Sequence, residues 1–424
     1  MEPVKLAVTP VDRLFSLEHF GIKLGLENIL ALLAALEHPE RAWPSIHIAG
    51  TNGKGSVAAM VERALRAGGL RTGRYTSPHL YAIEERVALD GSPVSPALFS
   101  EVTADVLAVV DRCLASGMIG GTPTFFEVST AIAFEVFRRA KVDVAVIEVG
   151  LGGRFDATNV LAPTVTAITS IAMDHERHLG YTLSDIAFEK AGIAKAGVPL
   201  IVGPVPPEAW TRITGVASDV GAPIVDAREV ERHRIPAGLA LAGRHQIDNA
   251  TVAVAVLDQW SSAVAPITQT AVVTGLTECE WPARLEWLRL PSGADLLIDA
   301  AHNPAGAEAL AAFLEETGVS PLPIVVAAMA DKDIAGIMRP LCRVAASFLA
   351  TTVEHQRAMP AEALAAAIRE LSPGHRVEAE PSAAAAIAAA TAGGQRAVAA
   401  GSIFLVGPLR ARLVAAGALR HGIS

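Results

Sequence analysis

The stretch His47-Ile48-Ala49-Gly50-Thr51-Asn52-Gly53-Lys54-Gly55-Ser56 decides the fold, because an apolar run feeds a glycine-rich turn that opens into an amphipathic helix. This is the layout of a phosphate loop. Three glycines in six positions let backbone N–H groups converge on one anion, and the helix that follows adds its positive dipole end. Lys54 supplies a mobile charge. Apolar residues at Val57, Met60, Val61, Ala64 and Leu65 mark one helical face, which Gly68-Gly69 ends. Gly55 stands between Lys54 and Ser56, where the general nucleotide-binding pattern has lysine followed at once by Ser or Thr.

At 424 residues the chain exceeds what one core serves, so two domains are expected. Hydrophobic residues make up 51% and aromatic ones 5%, so the cores are built mainly from Ala, Val, Leu and Ile. A formal charge of −9 argues against general electrostatic binding of nucleic acid, which needs a basic surface. Cys113, Cys279 and Cys342 are too few and too scattered for a disulfide framework or zinc cluster. With neither a leader-like start nor a membrane-length apolar run, the expectation is a cytoplasmic protein with no membrane partner.

Residues 16–36 carry leucines and an isoleucine at broadly helical spacing and predict a packing helix. Residues 71–76 read as a strand ending at Ser77-Pro78-His79-Leu80. Thr124-Phe125-Phe126-Glu127 opens an apolar helix, with Glu127 suited to a capping role or to function. Residues 142–149 form a continuous apolar run with Glu148 at its end, and 164–171 form another that stops at Asp174-His175. Such runs belong to parallel sheets covered on both faces, where ligands gather at the carboxyl ends of strands. Three neighbouring strands would thus deliver Ser77, Glu148 and His175 to one edge. Oxygen and imidazole donors beside a phosphate loop suit Mg²⁺.

Gly150 to Asn159 forms a second glycine-rich loop. Thr182 to Asp185 has helix-capping spacing and opens the helix of Glu189-Lys190-Ala191-Gly192, where pattern alone makes Lys190 a solvated lysine. Strands at 198–202 and 223–225 precede a helix over 247–260 with Asn249 in its first turn. Near residues 280–284 the chain starts again. Segments 285–290 and 294–298 read as an antiparallel pair, after which strands at 324–328, 347–353 and 396–400 alternate with Ala-rich helices, including 383–390. Asn303 and Pro304 have the form of a helix entry. The fold class expected is α/β: an N-terminal P-loop-type ATPase domain (1–282) with a mainly parallel sheet, and a smaller C-terminal Rossmann-like α/β domain (283–424).

Gly50 to Ser56, Ser77 to Leu80, Glu148 to Arg154, Asp174-His175, Glu189 to Gly192 and Asp299-Ala300-Ala301-His302-Asn303-Pro304 together resemble the ordered signature of the folylpolyglutamate synthase/dihydrofolate synthase family, within the Mur ligase superfamily. The match runs from about Leu24 to Leu409. The inserted Gly55 is a feature of that family. The resemblance implies a monomeric ATP-dependent ligase that activates a carboxylate as an acyl phosphate, with ATP and Mg²⁺ as cofactors.

By that similarity Asn52, Gly53, Lys54, Gly55 and Ser56 hold phosphates, and Asn249, Arg284, Asp299 and His302 complete the nucleotide contacts. Ser77, Glu148 and His175 bind the metal. Lys190 falls on the lysine that is carbamylated in the family and helps hold a second metal. Lys54, Lys190 and His175 are the implied catalytic residues. A pteroate-type ligand would lie along Lys23-Leu24-Gly25, Thr124, Phe125, Phe126, Glu127, Phe155, Asp156 and Ala157. The implied substrates are L-glutamate, dihydropteroate and reduced folates. A chain extender without dihydropteroate ligation is the alternative within the family, and an ATP-hydrolysing switch module is the alternative outside it. Ala300, where the family has glycine, and Gly407-Pro408, where it has Gly-Glu, are departures.

Overall fold

The computed structural model describes residues 8–21 and 25–421. The chain divides into two compact units, one of residues 1–238 and 248–279, the other of 239–247 and 280–424.

The first unit is built on eight strands: β1 (Ser45–Ala49), β2 (Thr72–Tyr75), β3 (Val87–Leu89), β4 (Ser92–Pro93), β5 (Val144–Glu148), β6 (Val165–Ile168), β7 (Leu200–Val202) and β8 (Ile224–Asp226). They run in the order β4-β3-β2-β5-β1-β6-β7-β8. From β2 to β8 every pairing is parallel, whereas β3 and β4 extend one edge antiparallel. Every residue of β1, β5 and β6 is buried, as continuous apolar strands covered on both faces should be. One core gathers Tyr75, Phe134, Phe137 and Ile147, and a second gathers Ile168, Ile186, Ile213 and Val202.

Two expectations are corrected here. Residues 16–36 do not form one helix. A helix at Pro10–Ser16 passes into a short 3₁₀ turn at Leu17–Phe20, and a separate helix occupies Glu27–Ala35. Gly21 (φ 64°) and Gly25 (φ 138°) adopt backbone conformations that a helix cannot contain, so leucine spacing alone was a poor guide. The strands bearing Ser77, Glu148 and His175 are not three neighbours either. β2 and β5 are adjacent, but β1 lies between β5 and β6 and brings the phosphate loop between the carboxylate and the histidine.

The second unit has seven strands: β9 (Glu286–Arg289), β10 (Asp295–Ile298), β11 (Leu322–Val326), β12 (Ala345–Ala350), β13 (Arg376–Ala379), β14 (Ala397–Ala400) and β15 (Leu419–His421). Their order is β13-β12-β11-β14-β10-β9-β15, with β9 antiparallel to both β10 and β15 and the remainder parallel. The Ala-rich segment is a helix at Ala383–Ala390. β13 and β15 carry charged, half-exposed sequences, so they lack the apolar run that marks a central strand.

Candidate active site

The phosphate loop joins β1 to a helix at Lys54–Ala67. Gly50 has φ 148°, and a Cβ there would lie 2.0 Å from Thr169 Oγ1. Gly53 has φ 88°, and its Cβ would meet Asn249 Oδ1 at 2.2 Å, so Asn249 borders the loop. The segment after β6 anchors the loop. Thr51 N donates to Ser170 O (2.8 Å), Asn52 N to Ser170 Oγ (3.0 Å), and Thr169 Oγ1 to Asn52 O (2.6 Å). Thr51 Oγ1 also bonds across to the backbone of Ala172. Sequence reading missed Thr169 and Ser170, although both follow a buried parallel strand at its carboxyl end.

Two amines meet at one carbonyl. Lys54 Nζ donates to Gly50 O at 3.0 Å and to Thr51 O at 3.2 Å, while Lys190 Nζ donates to Gly50 O at 2.9 Å. Lys190, near the end of the helix at Leu183–Ala191, is buried (5% exposed), which corrects its reading as a solvated lysine. Burial first, and then the charge of Lys54, push its amine down to about 7, against the opposing pull of Asp174 and Asp156.

Glu148 ends β5, buried, with its Oε1 3.9 Å from Lys54 Nζ and its Oε2 accepting from the Ser77 amide at 3.3 Å. The Ser77-Pro78 peptide is cis. Ser77, Glu148 and Lys54 are therefore joined by direct contacts. His175 follows β6 at the same strand edge, in a left-handed conformation (φ 52°), with its ring half-exposed and 3.9 Å from Asp174. Among the described residues no three His, Cys, Asp or Glu side chains cluster as a ready cation site. A cation here would rest on one carboxylate, a hydroxyl, an imidazole and water. That sparse, mainly oxygen donor set fits Mg²⁺ or a similar ion that keeps part of its hydration shell.

The second glycine-rich loop packs on the Lys190 helix. A Cβ on Gly153 would lie 2.8 Å from the carbonyls of Glu189 and Lys190, and Arg154 N donates to Glu189 O at 2.8 Å. Arg154 also pairs with Glu189 (2.6 Å) and covers the Phe155 ring at 4.2 Å. Phe126 faces Gly150, whose added Cβ would lie 2.4 Å from the ring. Phe125 stacks on Phe15 and lies under the guanidinium of Arg86. Arg86 is buried and donates to His79 Nδ1 at 3.0 Å; burial, then Arg86, push the His79 imidazole down to about 4. Thr124 and Glu127 form a reciprocal cap on the helix at Phe125–Ala140, with Thr124 N to Glu127 Oε2 at 2.7 Å, so that carboxylate is committed to starting a helix. Ala157 is buried beside Asp156. Lys23 and Leu24 lie outside the described residues, and Gly25 lies at their border.

In the second unit Asp299 follows β10 directly and accepts from the amides of Leu285 and Ala301, each at 2.8 Å. Ala283 (φ 56°) and Leu285 (φ 46°) both adopt left-handed backbone on either side of Arg284, whose Nη1 donates to Ala283 O at 3.1 Å. Glu286 accepts from Ala283 N at 2.8 Å and pairs with Arg410 through both oxygens, at 2.7 and 2.8 Å. His302 Nδ1 bonds to Ala300 O at 2.9 Å. Asn303 caps the helix at Pro304–Glu316 by accepting from Gly306 N at 2.8 Å.

Comparison with known proteins identifies the family. Residues 283–406 match the profile of the Mur ligase, glutamate ligase domain. The dihydrofolate synthase/folylpolyglutamate synthase of Mycobacterium tuberculosis is 40% identical over 381 residues, which is 81% of this chain and 77% of that protein. The chain belongs to the dihydrofolate synthase/folylpolyglutamate synthase family. Members of this family are ATP-dependent ligases of the Mur superfamily. Among solved structures, M. tuberculosis folylpolyglutamate synthase complexed with ADP superposes with a TM-score of 0.86 at 35% identity, covering 95% of this chain and 99% of that one. The bifunctional enzyme of Yersinia pestis complexed with AMPPNP and a manganese ion gives 0.82 at 30% identity, over 96% and 98% of the two chains. Among the described residues no helix is long and apolar enough to cross a membrane.

Proposed function

We propose that this family member adds L-glutamate to dihydropteroate and to reduced folates, with ATP as the source of the activating phosphoryl group. The observation that carries the proposal is the convergence of Lys54, Lys190, Glu148 and the Ser77 amide on the phosphate loop. In the reaction a substrate carboxylate oxygen attacks the γ-phosphorus and ADP leaves. The glutamate amine then attacks the acyl carbon, loses a proton and expels phosphate.

Charge spreads over the γ-phosphoryl oxygens during transfer, so positioning and electrostatics do most of the work. The loop amides and the Lys54 ammonium meet that charge, and the bonds from Thr169 and Ser170 hold the loop in shape beforehand. Ser77, Glu148 and His175 would hold Mg²⁺, which supplies positive charge toward the phosphate oxygens. An amine poised at about 7 is substantially neutral at physiological pH. Lys190 could then form a bond from nitrogen to the carbon of CO₂ with release of a proton, which would turn a buried cation into an oxygen donor. We assign Asn249, Arg284, Asp299 and His302 to ATP by the family resemblance. The aromatic surfaces of Phe125, Phe126 and Phe155, with Gly25, Asp156 and Ala157, are assigned to the pteroate-type acid in the same way.

The test measures product and ADP together, with dihydropteroate or a reduced folate monoglutamate as acceptor, with and without glutamate and Mg²⁺. Ligation of both acceptors, with ADP released in step, is expected. Product from the reduced folate alone would leave a chain extender. ADP release indifferent to glutamate and acceptor would instead indicate a hydrolytic switch.

A further inference from the structure

His47 lies at the centre of β1, fully buried, in register with Ile147 of β5 on one side and Thr166 of β6 on the other. Nothing in the chemistry above uses it. Burying an imidazole in a sheet that is otherwise largely apolar costs stability unless its nitrogens are engaged. Its Nε2 lies 2.8 Å from Thr158 Oγ1, while its Nδ1 has no partner among the described residues.

The hydrogen-bond direction follows from the partners. Thr158 Oγ1 has one hydrogen and makes a short contact to Asp156 Oδ1, an acceptor. Thr158 must then accept from His47, so Nε2 carries the proton and Nδ1 is bare. The reverse chain would put the ring proton on Nδ1 and leave a buried N–H without a partner, which is the costlier arrangement. Asp156 in turn gathers backbone: Thr158 N at 3.0 Å on Oδ1 and Leu151 N at 2.9 Å on Oδ2. The carboxylate thus closes the glycine-rich loop on itself from beneath.

We propose that His47 is a positioning residue: through Thr158 it fixes Asp156, and so sets the shape of the 150–159 loop that borders the acid substrate. This rests on the reading of that loop as part of the pteroate-type pocket. It also gives the residue three places ahead of the phosphate loop a role separate from ATP, so one strand serves both substrates.

His47→Leu removes the donor, His47→Gln keeps an N–H donor of similar reach, and Thr158→Val deletes the linking hydroxyl at constant shape. Amide hydrogen exchange on the ligand-free protein reads the device without reference to activity. Faster exchange at Leu151 and Thr158 is expected in His47→Leu and Thr158→Val, with wild-type rates in His47→Gln and unchanged protection in β5. In steady-state assays the same two variants should raise KM for dihydropteroate about tenfold while KM for ATP and kcat stay near wild type. Unchanged loop exchange in both disruptive variants, or a uniform fall in all kinetic constants, overturns the proposal. If exchange responds as expected but no acceptor is ligated even by wild type, the pocket reading fails and the loop-setting role of His47 stands.

Discussion

Lys190 Nζ donates to the Gly50 carbonyl at 2.9 Å, placing a buried amine against the first glycine of the phosphate loop. Lys54 reaches the same oxygen at 3.0 Å, so two like charges share one acceptor. Folding therefore disfavours the protonated form of Lys190. Its amine falls from the ordinary 10.5 to about 7 through burial and through Lys54. Between these two values the unfolded chain binds a proton that the folded chain does not, so stability rises with pH across the window and the full cost is present below about 7. In metal-free, bicarbonate-free buffer, Lys190→Met should be more stable than wild type at pH 6, with the advantage shrinking toward pH 10. Denaturant midpoints across that range check this, and a difference independent of pH would refute it.

Gly50→Ala tests the loop's dependence on backbone freedom. The substitution forces a side chain into φ 148° and drives its Cβ to within 2.0 Å of Thr169 Oγ1 and 3.1 Å of Thr169 N. Strain and overpacking together predict a loss of about 2–5 kcal/mol, and displacement of the loop should abolish turnover. Adding Thr169→Ala removes the hydroxyl but neither the backbone nitrogen nor the strain, so it should recover only part of the stability. Thermal unfolding of the single and double variants decides the point. Full recovery would mean that the hydroxyl contact alone requires glycine.

The α/β class, the glycine-rich loop after β1 and the Glu148 strand were legible because each is a local pattern: a fresh alternation of strand and helix, glycine spacing, an unbroken apolar run. Strand order was not legible. The insertion of β1 between β5 and β6 depends on which helices cover which face, and no single stretch encodes that. Lys190 illustrates the same limit, since a helix lysine reads as solvated until Gly153 and Arg154 are seen packed over the end of its helix. Thr169 and Ser170 act through backbone groups of a loop more than a hundred residues away, which leaves no periodic trace.

Asp299→Asn should separate a conformational role from a ligand role in the second unit. The carboxylate accepts from the amides of Leu285 and Ala301, and the first of these bonds holds one of the two left-handed residues flanking Arg284. Replacing one oxygen by an NH₂ group sets a donor against a buried N–H, at a cost of about 1–3 kcal/mol. Denaturant unfolding should register that loss. On the proposed assignment of Arg284 and Asp299 to the nucleotide, KM for ATP should rise as well. Wild-type stability would show that those amides find other acceptors.

His47 makes the protein sensitive to acid in a defined window. Burial, and secondarily the charge of Lys195, push its imidazole down to about 3 from an ordinary 6.5. As pH falls below 6.5 the unfolded chain takes up a proton that the folded chain refuses until about 3. The contribution is therefore complete above 6.5 and is lost progressively on the way down. Lys195 is itself held at 2.9 Å from Asn159 Oδ1, so its charge stays near the ring throughout. His47→Gln has no titrating group and should flatten the fall in stability between pH 6 and 4 relative to wild type, while matching it more closely at pH 8. Parallel stability profiles for the two proteins would mean that the ring already titrates normally and is not sealed in the sheet.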